Sequence, residues 1–275
     1  SEGRQLLIDD EVLRAKITDV GLNAVIAEGE EKGESALYLL ACNPKGRQLL
    51  IHDEVLRSKI TVAGLNAVIA GGEYKGKSAL YYLSRRLEGQ RLFLDEKRLR
   101  DKITEKGLNA VVAEGVDKGK SALYYLACRL EGQRLLFDEK GLRDKITAAG
   151  LNAVVAEGQY NGYSPLSFLA SRHGGEQLLI NDEVLRGKIT AGGLNAVIVE
   201  GLDNGKSVLY FLVGNPQGPR LLKNDEVLRG KITSAGLNAV IAQGLLRGIS
   251  VLLCLAIFSE GRQLLIDDEV LRAKI

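Results

Sequence analysis

The chain has 275 residues, 45% hydrophobic and 26% charged, and its 37 Lys and Arg nearly balance 35 Asp and Glu for a formal net charge of +2. That composition belongs to a folded protein and excludes a global electrostatic pull toward nucleic acid or an anionic membrane, leaving only a local basic stripe open. The most apolar run, residues 249–258, has about half the ~20 residues of a spanning helix, and no signal-peptide pattern opens the chain, so no membrane is expected among its partners.

The dominant feature is a repeat. Thr18-Asp19-Val20-Gly21-Leu22-Asn23-Ala24-Val25 returns as Thr-x-x-Gly-Leu-Asn-Ala-Val at Thr61, Thr104, Thr147, Thr190 and Thr233, each 43 residues after the last. A strict period of this length marks an array in which one supersecondary unit stacks on copies of itself. It overrides the length prior of about two domains. The fold expected is all-α: one elongated α-solenoid domain over residues 1–275, with six 43-residue repeats of three or four short helices and a partial seventh. The repeats fall at residues 3–45, 46–88, 89–131, 132–174, 175–217 and 218–260, and the partial one at 261–275.

In chain order, Arg4-Gln5-Leu6-Leu7-Ile8 reads as a short apolar helical turn. The next position is Asp9, His52, Asp95, Asp138, Asn181 and Asn224 across the repeats, a pattern that predicts a helix N-cap. The helix that follows, residues 10–17, carries Leu13 and Ile17 on one face, with Asp10 and Glu11 early and Arg14 and Lys16 late to complement its dipole. Thr18 caps the next helix, whose buried face is read as Leu22, Val25 and Ile26. Gly29, and likewise Gly72, Gly115, Gly158, Gly201 and Gly244, is expected to stop that helix in a left-handed conformation. Ser35 caps a last helix with Leu37, Leu40 and Ala41 inward, and a variable corner, Cys42-Asn43-Pro44-Lys45, leads to Gly46 of the second repeat. Helices this short are marginal alone, so stacking must supply the core.

The stretch Gly33-Glu34-Ser35-Ala36-Leu37-Tyr38-Leu39-Leu40-Ala41 resembles the opening of an ankyrin repeat, and Gly162-Tyr163-Ser164-Pro165-Leu166-Ser167 comes nearest to it. The period of 43 and the missing histidine depart from ankyrin; the period is similar to that of HEAT and armadillo arrays. The resemblance implies a helical interaction solenoid.

Cys42 and Cys128 share a repeat position two repeats apart, and Cys254 stands alone. Helix stacking at about 10 Å per step puts the first two beyond the ~7 Å that a disulfide spans. Free thiols point to a reducing, intracellular (cytoplasmic) compartment. Met is absent, even at position 1, and residues 259–275 repeat residues 1–17 letter for letter. Both facts suggest a processed or engineered chain.

No catalytic or metal site is expected, since His52 and His173 occupy different repeat positions without convergent partners. No cofactor is expected either: Gly119-Lys120-Ser121 lacks the strand and spacing of a phosphate loop. The recurring amides Asn23, Asn66, Asn109, Asn152, Asn195 and Asn238 form either a structural ladder or a ladder facing a groove that holds an extended peptide or nucleic-acid strand. Arg14 and Lys16 are expected to pair with acids such as Glu11 and Glu28 on a solvated face.

Two places vary between repeats. The pair after each Thr reads Asp19-Val20, Val62-Ala63, Glu105-Lys106, Ala148-Ala149, Ala191-Gly192 and Ser234-Ala235. The Gly-to-Gly loop reads Glu30-Glu31-Lys32, Glu73-Tyr74-Lys75, Val116-Asp117-Lys118, Gln159-Tyr160-Asn161, Leu202-Asp203-Asn204 and Leu245-Leu246-Arg247. Stacked loops make an extended edge, and Tyr with Lys suits protein contact. Candidate partner-binding residues are therefore Tyr74, Lys75, Asp117, Lys118, Tyr160, Asn161, Asp203 and Asn204, with Asp19, Val20, Glu105 and Lys106.

The sixth repeat is unusually apolar at Leu246, Ile249, Leu253, Ile257 and Phe258. The following 17 residues are expected to cover it, with self-association as the alternative. The function expected is a non-enzymatic scaffold that binds a protein or peptide along its loop edge or concave face. Two alternatives are a modular nucleic-acid reader using the pair after each Thr and an engineered, self-assembling repeat protein.

Overall fold

The computed structural model describes residues 10–29, 31–72, 74–243 and 247–275, with the backbone alone at residue 173. The described residues are helical throughout, apart from turns and two isolated β-bridges, Val197 with Ser207 and Val240 with Ser250. The fold is all-α. Contacts divide the chain into two compact units, Ser1–Ile146 and Thr147–Ile275. The expectations for the Arg4 to Ile8 turn, the Asp9 cap, Glu30, Glu73, Gly244, Leu245 and Leu246 lie outside the described residues.

In the first unit one stretch holds the helices Glu54–Ser58, Val62–Asn66, Ala79–Ser84 and Leu87–Asp95. Three of them start on a side-chain cap: Asp53 accepts from Leu56 N, Thr61 from Gly64 N and Ser78 from Tyr81 N. Each cap satisfies an amide that the helix itself leaves unpaired. Helices of five, five, six and nine residues gain little from their own hydrogen bonds. Burial between them supplies the stability. The central layer packs Ala79–Ser84 between Ala36–Cys42 and Ala122–Ala127, with Pro44–His52, Leu87–Asp95 and Leu130–Asp138 alongside. Leu37, Leu80, Leu83, Leu123 and Leu126 are fully buried there. The helix following each central one starts so close that a Cβ on Gly46, Gly89 or Gly132 would lie 2.4, 2.2 or 2.2 Å from the carbonyl oxygen of Leu40, Leu83 or Leu126.

The second unit repeats these elements. Pro165–Ser171 opens on a capping box in which Ser164 and Ser167 bond each other's backbone. It packs on His173–Asn181 and on Val208–Val213. After Val251–Ile257, the helix Ser259–Asp267 packs on it and on Gln217–Asn224, burying Leu264, and Glu269–Arg272 buries Leu271. The extension covers the sixth repeat only in part, because Leu253 and Ile257 stay 47% and 57% exposed. Ile249 and Phe258 are half-buried.

Three element boundaries differ from the sequence reading. The N-cap is Asp10, not position 9, and its equivalents Asp53, Asp182, Asp225 and Asp268 cap in the same way. His52, Asp95, Asp138, Asn181 and Asn224 instead close the preceding helix. That preceding element is not a turn but the longest helix of the repeat, and it absorbs the variable corner with Asn43 as cap and Pro44 at its first position.

The Thr-capped helix ends at Asn23, well before Gly29. Asn23 bonds the Asp19 carbonyl through its side chain, and the chain then turns extended at Ala24. Ile26 N donates to Glu34 O and Ile26 O accepts from Gly33 N, closing a compact loop rather than prolonging a helix. Gly29 does have φ +90° and Gly33 φ +99°, but as corners of that loop. Alternation replaces the helical period: Val111 is exposed while Val112 is fully buried.

Candidate interaction surface

The residues that recur in every repeat are held by bonds to the neighbouring repeat. Asn23 Nδ2 donates to Asp19 O (2.6 Å) and to Lys59 O of the next repeat (2.8 Å), while Oδ1 accepts from Thr61 N (2.9 Å). Asn66 does the same with Val62 O, Lys102 O and Thr104 N. In the second unit Asn152 bonds Ala148 O, Lys188 O and Thr190 N, and Asn195 bonds Ala191 O, Lys231 O and Thr233 N. Asn109 donates to Glu105 O and Lys145 O. Both N–H groups of these amides are therefore engaged by backbone. Asn238 differs: it donates to Ser234 O of its own helix. A Cβ on Gly64 would sit 2.0 Å from Asn23 Oδ1, which is why the Gly before Leu-Asn recurs with the Asn.

The recurring cations are also engaged. Arg14 Nε reaches Asp53 of the next repeat at 3.1 Å. Arg57 pairs with Glu96 (2.9 Å) and donates Nη1 to the carbonyls of Leu50 and Ile51. Arg186 pairs with Asp225 (2.8 Å) while bonding the carbonyls of Leu179 and Ile180, and Arg229 pairs with Asp268. The last carbonyls of a helix lack intrahelical donors, and the guanidinium fork supplies them. Lys59, Lys102 and Lys274 reach back to carbonyls of Ala15, Ile60 and Ile232 in the preceding repeat.

The variable pair after each Thr is exposed in all six repeats, with Val20 at 72% and Asp19, Glu105 and Lys106 also on the surface. The loop residues divide. Tyr74 and Tyr160 are 41% and 42% exposed. Lys75 reaches Glu114 of the next repeat at 3.1 Å in solvent, and Lys118 is exposed. Asn161, Asp203 and Asn204 are half-buried; Asp203 accepts from Tyr163 Oη at 2.9 Å and Lys206 Nζ at 2.7 Å, and Asn161 O accepts from Val199 N.

Asp117 is not on the surface but 3% exposed. It is met by Lys120 (2.9 Å), Arg85 (3.2 Å), Lys77 of the preceding repeat (3.5 Å) and Tyr125 Oη (3.4 Å). Burial opposes its charge, yet the Lys120 hydrogen bond and the Arg85 and Lys120 charges hold its carboxyl down at about 2. Burial pushes the Tyr125 hydroxyl up to about 12. The sequence reading passed over Lys77, Arg85 and Tyr125. The signal available was the residue before the capping Ser, which is Lys77, Lys120 and Lys206 in three repeats.

What the loops leave open is a groove of about 660 Å³ between those of the first and second repeats. It is lined by Ala70, Gly71 and Gly72 beside the buried Ile69, by Glu31, Lys32 and Glu34, and by Tyr74. Tyr74 is held from behind by Tyr38, with ring centroids 6.5 Å apart, and by Lys77 Nζ 5.2 Å from its ring. Behind the loops, Tyr38, Tyr82, Tyr81, Tyr125 and Tyr124 pack edge to face at 5.2 to 5.5 Å.

Among the described residues no group of three or more His, Cys, Asp or Glu is placed to hold a metal ion. His52 Nε2 lies 3.2 Å from Gln48 Oε1, and the side chain of His173 lies outside the described residues. Cys42, Cys128 and Cys254 form no disulfide. No described helix is long and apolar enough to cross a membrane. No protein-family model, no curated protein and no solved structure matches this chain.

Proposed function

We propose that this chain is a non-enzymatic scaffold, an α-solenoid array of 43-residue repeats that binds a protein or an extended peptide along its Gly-to-Gly loops. The observation that carries the reading is the groove beside Tyr74: about 660 Å³, lined by small residues, by Glu31, Lys32 and Glu34, and by an aromatic ring that packs on Tyr38. A lining of small residues with a few polar groups and an amphipathic aromatic suits a peptide side chain flanked by main chain. The framework side chains are taken up in bonding repeat to repeat, which directs recognition to the variable positions. The same fact weighs against a nucleic-acid track, because the recurring Arg and Lys already serve helix-end carbonyls and neighbouring carboxylates.

The test is selection from a displayed random-peptide library against the full chain. Peptides recovered in this way are expected to lose at least about tenfold in affinity on Tyr74→Ala while the melting temperature stays within a few degrees. Peptides that bind the Tyr74→Ala chain as tightly as the original would overturn the assignment.

A further inference from the structure

Within each unit, consecutive repeats fill two kinds of half-site on one another, and both kinds are left unfilled at the first and at the sixth repeat. The Gly before Leu-Asn is a seat for the preceding repeat's amide. A Cβ on Gly64, Gly107, Gly193 or Gly236 would meet the Oδ1 of Asn23, Asn66, Asn152 or Asn195 at 2.1 Å or less. At Gly21 the same Cβ would meet only Thr18 Oγ1, at 3.3 Å. Its complement is Asn238, exposed where Asn23 and Asn66 are buried, with no donor to its Oδ1 among the described residues.

A second pair shows the same vacancy. Gly33, Gly76, Gly162 and Gly205 press on the next repeat so closely that a Cβ would lie 2.6 to 2.7 Å from the Cα of Ile69, Val112, Ile198 or Ile241. Those four side chains are at most 2% exposed. Gly248 has the same left-handed φ, +87°, and nothing within 4 Å of its Cβ position. The unmatched apolar partner is Ile26, 41% exposed.

We infer that the face carrying Asn238 and Gly248 docks on the face carrying Thr18, Gly21 and Ile26 of a second copy of this chain. The junction reproduces the contact between consecutive repeats: Asn238 Oδ1 accepts from Thr18 N of the second copy and Gly248 covers its Ile26. The register is fixed by the sequence. An Asn accepts from the Thr 38 residues further on, and residues 259–275, identical to residues 1–17, bring the first copy to the position just before that Thr. At the junction residues 268–275 of the first copy and residues 10–17 of the second claim one place. Burial decides between them: Leu271 is 1% exposed and its counterpart Leu13 is 37% exposed. Residues 268–275 of one copy therefore take the place of residues 10–17 of the next, and Arg272 meets Asp53 of that copy as Arg14 does within a single chain. The two faces are different, so the contact is head-to-tail and adds copies rather than closing a two-fold dimer.

The full chain would be followed by sedimentation velocity and light scattering from about 1 µM to about 500 µM. The expected result is a mass that climbs past two copies as concentration rises. Gly21→Ala fills the seat, and within the single chain its Cβ meets only Thr18 Oγ1, at 3.3 Å, so it should leave circular dichroism unchanged and the melting temperature within a few degrees. It should weaken association at least about tenfold, and Asn238→Ala should act in the same direction. A chain that stays monomeric throughout overturns the inference. So does saturation at two copies, or association that Gly21→Ala and Asn238→Ala leave untouched. The inference does not rest on the loop-edge reading, and peptide binding by the Gly21→Ala chain would remain intact.

Discussion

Asn66 and Tyr74 stand eight residues apart in one repeat and obey opposite rules. Asn66 has the same residue at its place in every repeat, is buried, and bonds backbone of its own helix and of the next repeat. Tyr74 recurs as Tyr160 but gives way to Glu31, Asp117, Asp203 and Leu246 in the other four, and is 41% exposed beside a groove. The recurring amide satisfies backbone groups of the neighbouring repeat, which have the same geometry at each step. The loop position varies because its partner is another side chain or solvent. Asp117 sharpens the rule, since it lies in the variable loop yet is buried because Lys77, Arg85 and Lys120 converge on it.

The contrast can be tested from its strongest side downward. Gly89→Val would drive a side chain into the backbone carbonyl of Leu83, 2.2 Å from the Cβ position, which cannot swing away. The expected cost is about 4 kcal/mol or more, read as a lowered midpoint in urea unfolding. Asp117→Asn comes next. It strands three cations in a buried site, with an expected loss of about 3 kcal/mol.

The same carboxylate sets a pH dependence. Its carboxyl is lowered from 3.8 to about 2, so its contribution is complete above 3.8 and is lost as pH falls through about 2. Acid unfolding of the original chain should therefore steepen over that window, and the Asp117→Asn chain should lack that component. Lys75→Ala removes a solvent-exposed pair with Glu114 and should change stability by no more than about 0.5 kcal/mol.

Much of the local structure was legible in the sequence. Thr61 and Ser78 cap the helices they were expected to cap, because an N-cap depends on one side chain and an amide three residues away. The left-handed glycines were legible as conformations but not as elements: Gly29 turns a loop closed by Ile26 and Glu34, and the helix had already ended at Asn23. The reason is tertiary. Asn23 is drawn to Lys59 and Thr61 of the next repeat, and Val25 and Ile26, 43% and 41% exposed, are left outside the buried face. The cap at Asp10 was misplaced by one because two acidic residues, Asp9 and Asp10, stand side by side. Asp117 could not be assigned to the interior from its loop, because Lys77 and Arg85 lie in the preceding repeat. The site residues followed the same division: the exposed Tyr74, Tyr160 and Lys75 were readable as variable surface, and the half-buried Asp203 was not.

The most direct test sets Asn66→Ala beside Asn238→Ala in dilute urea-unfolding experiments. Asn66→Ala orphans the carbonyl of Lys102 and the amide of Thr104 and should cost about 2–3 kcal/mol. Among the described residues Asn238 bonds only within its own helix, and its loss should stay within about 0.5 kcal/mol. Equal effects at the two positions, or none at Asn66, would contradict the claim that the recurring residues exist to join one repeat to the next.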